Sequence, residues 1–198
     1  MKRYIRSAVV SLSDEPLDVR LDWARNPNTD ARTLLELFNG DSATVRNWVL
    51  NNPNTPKDLL VKSAVSPDDQ VRAFVATNPS TPPDILRELV HDRWPNVSMM
   101  ALSNPSVPQD VLTEFADADH PEFCERIAGN PSTSPEILRD VFNLHSDNWF
   151  VCLNLSRNPH TPVDILTDLA KNHKSSDIRL IALQTLEDLG YSDDGELL

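Results

Sequence analysis

Apolar residues recur in two short stripes within each stretch of 26 residues along most of the chain. Each stretch is marked by an Asn-Pro pair: Asn26-Pro27, Asn52-Pro53, Asn78-Pro79, Asn104-Pro105, Asn130-Pro131 and Asn158-Pro159, at steps of 26, 26, 26, 26 and 28 residues. Counting each Asn as position one, positions eight, nine, twelve and thirteen carry the first stripe, as in Ile85, Leu86, Leu89 and Val90, or Leu59, Leu60 and Ala64. That spacing is one face of a helix. The second stripe is an i, i+4 pair at positions twenty and twenty-four: Val45 and Val49, Val71 and Val75, Val97 and Ala101, Phe123 and Ile127. It predicts a second short helix. Two extra residues in the fifth copy move this pair to Val151 and Leu155, and a one-residue shift in the sixth gives Ile178 and Ala182.

The residues between the stripes punctuate them. Thr at position four (Thr29, Thr55, Thr81, Thr133, Thr161) reads as the N-cap of the first helix, and Pro at position five (Pro56, Pro82, Pro108, Pro162) as its first turn. An acid at position seven (Asp58, Asp84, Asp110, Glu136, Asp164) completes a capping-box signature and places negative charge at the positive end of the helix. The 16 prolines test the register: 12 fall in the Asn-Pro turn or helix start, and Pro16, Pro67, Pro95 and Pro121 fall in the second turn. None lies inside an expected helix, where proline costs about 3 kcal/mol or more.

Self-similarity at this period marks a stacked helical array. The expected organisation is one solenoid: a degenerate leading copy over 1–25, repeats at 26–51, 52–77, 78–103, 104–129, 130–157 and 158–189, and a frayed acidic tail over 190–198. Val19-Arg20 stands 26 residues before Val45-Arg46, which places the leading copy in register.

The run from Val71 to Leu86, VRAFVATNPSTPPDIL, resembles the leucine-rich repeat variant family of bacterial proteins, and the resemblance extends from about Val19 to Leu183. It implies an all-α fold, a right-handed superhelical solenoid of alternating α- and 3₁₀-helices, HEAT-like in using helices only. Periodicity alone does not separate α from 3₁₀. A family member carries an iron–sulfur cluster on an N-terminal cysteine segment; residues 1–25 here contain no cysteine, so no cofactor is carried over.

Composition narrows the function. Thirty acidic residues face 18 basic ones, a net charge of −12, which argues against backbone-driven nucleic-acid binding and against attraction to anionic membranes. Two cysteines, Cys124 and Cys152, are too few for a disulfide framework. The basic start at Lys2, Arg3 and Arg6 lacks a signal-length apolar segment, and no apolar run is long enough to span a bilayer. A soluble cytoplasmic protein is expected.

Candidate chemistry is sparse. The five histidines (His91, His120, His145, His160, His173) form no H-x-x-x-H pair, and no nucleotide loop or nucleophile elbow occurs. The densest polar cluster is Asp117, Asp119, His120, Glu122 and Cys124, whose donor types would suit a metal. Position twenty-one holds Arg20, Arg46, Arg72, Ser98, Cys124, Cys152 and Arg179. Its arginines read first as structural, pairing with position-seven acids or helix ends, and alternatively as a strip for nucleic acid. Position twenty-three changes from Trp48, Phe74 and Met100 to Arg126 and Asn154. Inter-repeat core is the favoured reading of its apolar members, and an exposed anchor stripe the alternative. Trp94 and Trp149 fall in second turns, as rim residues or plugs.

The expected function is a non-enzymatic scaffold presenting an extended surface to a protein or peptide, with a basic patch on the partner matching the acidity. Trp48, Phe74, Met100, Arg46 and Arg72 are the candidate contact residues. The alternatives are nucleic-acid binding through Arg20, Arg46 and Arg72, and a metal or enzymatic site in the Asp117–Cys124 segment.

Overall fold

The computed structural model describes residues 12–116 and 120–198. The chain divides into two compact units, up to Pro82 and from Pro83 to Leu198. The first contains α1 (Leu17–Arg25), α2 (Ala31–Phe38), α3 (Ala43–Leu50), α4 (Lys57–Ser63) and α5 (Asp69–Thr77). The second contains α6 (Pro83–Leu89), α7 (Pro95–Leu102), α8 (Gln109–Ala116), α9 (Pro121–Gly129), α10 (Pro135–His145), α11 (Trp149–Arg157), α12 (Val163–Asn172) and α13 (Ser176–Asp188). Among the described residues there is no strand, only an isolated bridge between Tyr191 and Leu197. Among the described residues both helices of each pair from Ala31 onward are α-helices, and 3₁₀ geometry occurs only at Leu12–Asp14. The alternation implied by the resemblance is therefore absent among the described residues.

Even-numbered helices are the first of each repeat and odd-numbered helices the second. The odd row is continuous within each unit: α1 packs on α3 and α3 on α5, and α7, α9, α11 and α13 pack in series. The stripes read from the sequence form the core. Leu60, Leu86, Leu112, Leu138 and Leu166 from the even row and Val49, Val75, Ala101, Ile127, Leu155 and Ala182 from the odd row are fully buried.

Position four behaves otherwise than expected. The residue after it is the N-cap: Asp30, Pro56, Ser134 and Pro162 precede α2, α4, α10 and α12. The threonine instead serves the preceding helix. Its hydroxyl donates to the carbonyl six residues earlier: Thr29 to Trp23 (2.6 Å), Thr81 to Val75 (2.5 Å), Thr133 to Ile127 (2.7 Å) and Thr161 to Leu155 (2.7 Å), with Thr55 bonding Val49 likewise. The end of a helix leaves carbonyls without intrahelical donors, and the Asn-Pro turn stops the chain from supplying them. A buried threonine supplies one, so the capping-box reading fails while the acid at position seven still sits in the first turn.

The asparagines join one repeat to the next. Asn78 Nδ2 donates to the carbonyls of Leu50 (2.6 Å) and Asn52 (2.9 Å) at the preceding Asn-Pro turn, and its Oδ1 accepts from the Ser80 amide (2.8 Å). Asn52 does the same to Ala24 and Asn26, Asn130 to Leu102 and Asn104, and Asn158 to Ala128 and Asn130, at 2.7–3.0 Å. All four side chains are buried, so each donor replaces water that the carbonyls have lost. Asn26, which begins the series, is exposed. Thr185 stands where a seventh asparagine would, seven residues after Ile178, and its hydroxyl donates to the Ser156 carbonyl (2.7 Å).

The tail is ordered rather than frayed. Gly190 (φ 83°) and Gly195 (φ 80°) turn it back, and the Leu198 amide donates to the Gly190 carbonyl (2.9 Å). A Cβ on Gly195 would sit 2.7 Å from Thr167 Oγ1, so the tail lies directly on α12, where Asp194 pairs with Lys171. At the other end, residues 1–11 of the leading copy lie outside the described residues. Its second helix is α1, and Leu12 is buried with its amide on Glu36 Oε1 (2.9 Å).

Replacing Asn130 with alanine removes the side-chain donor from the Leu102 and Asn104 carbonyls, of which Asn104 keeps the Val107 amide, and the acceptor from the Ser132 amide. The expected loss is about 3 kcal/mol of unfolding free energy by urea titration, whereas Asn26→Ala should leave the midpoint unchanged.

Candidate functional site

Position twenty-one is a donor column. Arg46 Nη1 donates to the Gly40 carbonyl (2.8 Å), Arg72 Nη1 to Ser66 (2.7 Å), Ser98 Oγ to Asp92 (3.1 Å), Cys152 Sγ to Ser146 (3.1 Å) and Arg179 Nη1 to His173 (2.7 Å). Each acceptor lies six residues upstream, near the end of the first helix, so the second turn repeats the device that threonine provides at the first. Arginine, serine and cysteine share only the ability to donate, which explains their mixture in one column. Cys124 varies the pattern, with its Sγ 3.5 Å from the Ala116 carbonyl. Arg20 instead pairs with Asp41 at 2.8 Å, and that bond with the arginine's charge holds the Asp41 carboxyl below its ordinary range.

The position-seven acids do not meet this column. Asp110 takes a forked pair of bonds from Arg87 (2.7 and 3.1 Å), and Asp164 one from Arg139 (2.7 and 2.8 Å). Those arginines sit at position ten of the preceding repeat, a partner the sequence reading did not single out. The hydrogen bonds from the arginines hold both carboxyls below their usual range.

Position twenty-three lies at the edge of the odd row and is not core. Trp48 is 37% exposed, with the Arg25 guanidinium 4.4 Å above its ring. Phe74 and Met100 are half-buried in the first and second units respectively, and the favoured core reading is corrected to a partly open edge. An i+3 offset from the buried position twenty rotates these side chains toward solvent. Arg46 is half-buried and Arg72 only 6% exposed, so the guanidinium of Arg72 is structural. Trp94 and Trp149 are exposed, the latter edge-on to Phe150 at 5.0 Å.

The described members of the expected metal cluster are not brought together. Asp117 and Asp119 lie outside the described residues. His120 and Glu122 are exposed and face each other at 3.4 Å, while Cys124 is buried against backbone carbonyls. Among the described residues no three His, Cys, Asp or Glu side chains are grouped to hold a metal ion. No described helix is long and apolar enough to cross a membrane.

The repeat is where the chain is similar to known proteins. Residues 69–93 match the model of the leucine rich repeat variant family. One unit of the chain, residues 69–93, is thus similar to a leucine rich repeat variant unit. Among solved structures, it is similar to a leucine-rich repeat variant described as having a novel repetitive structural motif, at 22% identity and a TM-score of 0.51, covering 87% of this chain and 67% of that one. An engineered protein aligns at 18% identity and a TM-score of 0.39, over 92% of this chain and 99% of its own. No curated protein matches the sequence. The helical-repeat fold is shared with the first of these structures; the family model marks one repeat, and the same pattern recurs in the others.

Two predictions arise from these contacts. The carboxyls of Asp30, Asp41, Asp110 and Asp164 are held below their ordinary value of 3.8 in the folded chain by hydrogen bonds. Their stabilisation is present above that value and lost as pH falls through the lowered ones. Urea midpoints should therefore drop below about pH 4, with a shallower drop in Asp164→Asn. Both thiols are fully buried, and burial, with Asp147 adding to it, pushes Cys152 up to about 11. Native protein at pH 8 should resist alkylation at both cysteines, with labelling released by denaturant.

Proposed function

We propose that this helical-repeat chain is a non-enzymatic scaffold, working in the cytoplasm, that binds another protein or peptide. The observation carrying the reading is the partly open aromatic edge formed in the first unit by Trp48 and Phe74 on adjacent odd helices. Helices α3 and α5 pack on each other and their repeats are joined by Asn78, so the two rings are offered by a fixed backbone. A preformed surface loses little conformational entropy on binding. Aromatic side chains with half their area already packed make efficient anchors.

Two carboxamides lie near Trp48 in the sequence: Asn47 on α3 is half-buried, and Asn51, the C-cap of α3, is exposed. They suit the backbone of an extended segment laid across the row, while an apolar side chain of that segment rests on Trp48 and Phe74. The excess acid of the chain favours a partner with basic residues and an association that weakens in salt. Nucleic-acid binding through Arg20, Arg46 and Arg72 is the weaker reading, because each guanidinium is engaged by a carbonyl or carboxylate of its own fold. The free, buried state of both cysteines suits a reducing compartment.

Affinity capture with immobilised protein tests the reading. Trp48→Ala should reduce the recovered partner roughly tenfold, with little change in thermal midpoint because Trp48 is 37% exposed. Trp94→Ala, an exposed tryptophan on the other unit, should leave recovery unchanged. Equal recovery from all three proteins, or a Trp48→Ala chain that merely unfolds earlier, would return the stripe to a packing role.

A further inference from the structure

The fifth repeat departs from the others. Its 28-residue step lengthens α10 to 11 residues, against 8 in α8, and α12 beside it has 10. A groove of about 420 Å³ opens at the C-terminal ends of these two helices, within the second unit. That volume is at the small end for ligand sites and suits one side chain better than a cofactor. Half-buried Phe142 and buried Leu169 contribute apolar lining, and Asp147 and Asp168 bring carboxylates to the rim.

We propose that this groove receives an arginine side chain of a partner polypeptide. The proposal deepens the scaffold reading and rests on it only in taking the partner to be a polypeptide. Two features of charge carry it. Neither Asp147 nor Asp168 has an ion-pair partner among the described residues, although Lys174 also lines the groove. Asp168 Oδ1 is fixed by Asn172 Nδ2 at 2.8 Å, which orients the carboxylate and leaves its second oxygen available. The lining is formally net negative, with the carboxylates of Asp147 and Asp168 against the single ammonium of Lys174. A guanidinium matches this lining twice over, with a planar face for the Phe142 ring and a forked donor edge for a carboxylate.

The surroundings supply the rest of a docking surface. Trp149 and Phe150 follow Asp147 by two and three residues and are 39% and 57% exposed; Leu144, at the extended end of α10, is 55% exposed. No other second turn in the described chain gathers three large apolar side chains at this exposure. They offer contact to residues flanking the arginine.

The test is a ¹⁵N–¹H NMR titration of the full chain with N-acetyl-arginine methylamide, and in parallel with the citrulline analogue, which keeps the shape and loses the charge. The arginine probe should shift the amides around Asp147, Asp168 and Asn172 saturably, and the citrulline probe should bind roughly tenfold more weakly. The double variant Asp147→Asn/Asp168→Asn, both exposed positions, should remove the response while keeping the dispersed spectrum of the folded chain. Equal response to both probes, persistence in the double variant, or shifts scattered over acidic residues of both units would overturn the proposal. Trp48→Ala protein should titrate normally, so failure of the aromatic edge and failure of the groove are read separately.

Discussion

A buried carboxamide with all its bonds made is the contact on which the repeats depend. Each of Asn52, Asn78, Asn130 and Asn158 reaches two carbonyls at the preceding Asn-Pro turn with its two amide hydrogens and takes an amide of its own turn on its oxygen. Burying such a group without partners is costly, and burying it with three fixes one alignment. Hydrophobic stripes alone would hold successive helices together but would tolerate sliding. The asparagine makes one register uniquely satisfied, which is why helices of seven to nine residues, too short to be stable alone, stack in order.

The same economy governs the helix ends. Each repeat contains two sharp turns, and at each a donor placed six residues downstream reaches back to a carbonyl that the turn has stranded. At the first turn the donor is threonine in five of the six repeats, because the space is buried and a hydroxyl fits it; Val107 takes that place in the other. At the second it is arginine, serine or cysteine, because the turn is more open and accepts a long or a short side chain. The arginines that looked like a binding strip are thereby accounted for, and the charges left over concentrate elsewhere, in the forked pairs of the even row and around the fifth repeat.

Much of this was legible in the order of residues. The 26-residue period, the two stripes and the placement of 16 prolines are dictated by helix geometry, and they reappear as α-helices with those faces buried. The role of Asn and Thr was not, because a cap and a bridge to the neighbouring copy demand the same residue types at nearly the same position. Thr55 as an N-cap and Thr55 as a donor to Val49 differ only in which backbone group lies within reach, and that is a tertiary fact. The mixture at position twenty-one did hold a usable clue, since a column shared by Arg, Ser and Cys has hydrogen-bond donation in common and little else. Trp48 at an i+3 offset was ambiguous for a similar reason: periodicity gives the face of a helix, while exposure depends on how far the next helix overlaps it. The tail resisted reading because acidic composition suggests solvation, whereas two left-handed glycines and a cation on α12 decide its course.

The bond from Asn158 to the Ala128 carbonyl spans 30 residues where its counterparts span 28, yet its length is 2.9 Å, close to theirs. Additional chain is thus absorbed wholly at the far corner of the repeat, and the spine does not register it. Diversity can accumulate there as it does in the loops of an antibody framework, with each enlarged corner free to acquire its own relief while the backbone behind it keeps one pitch.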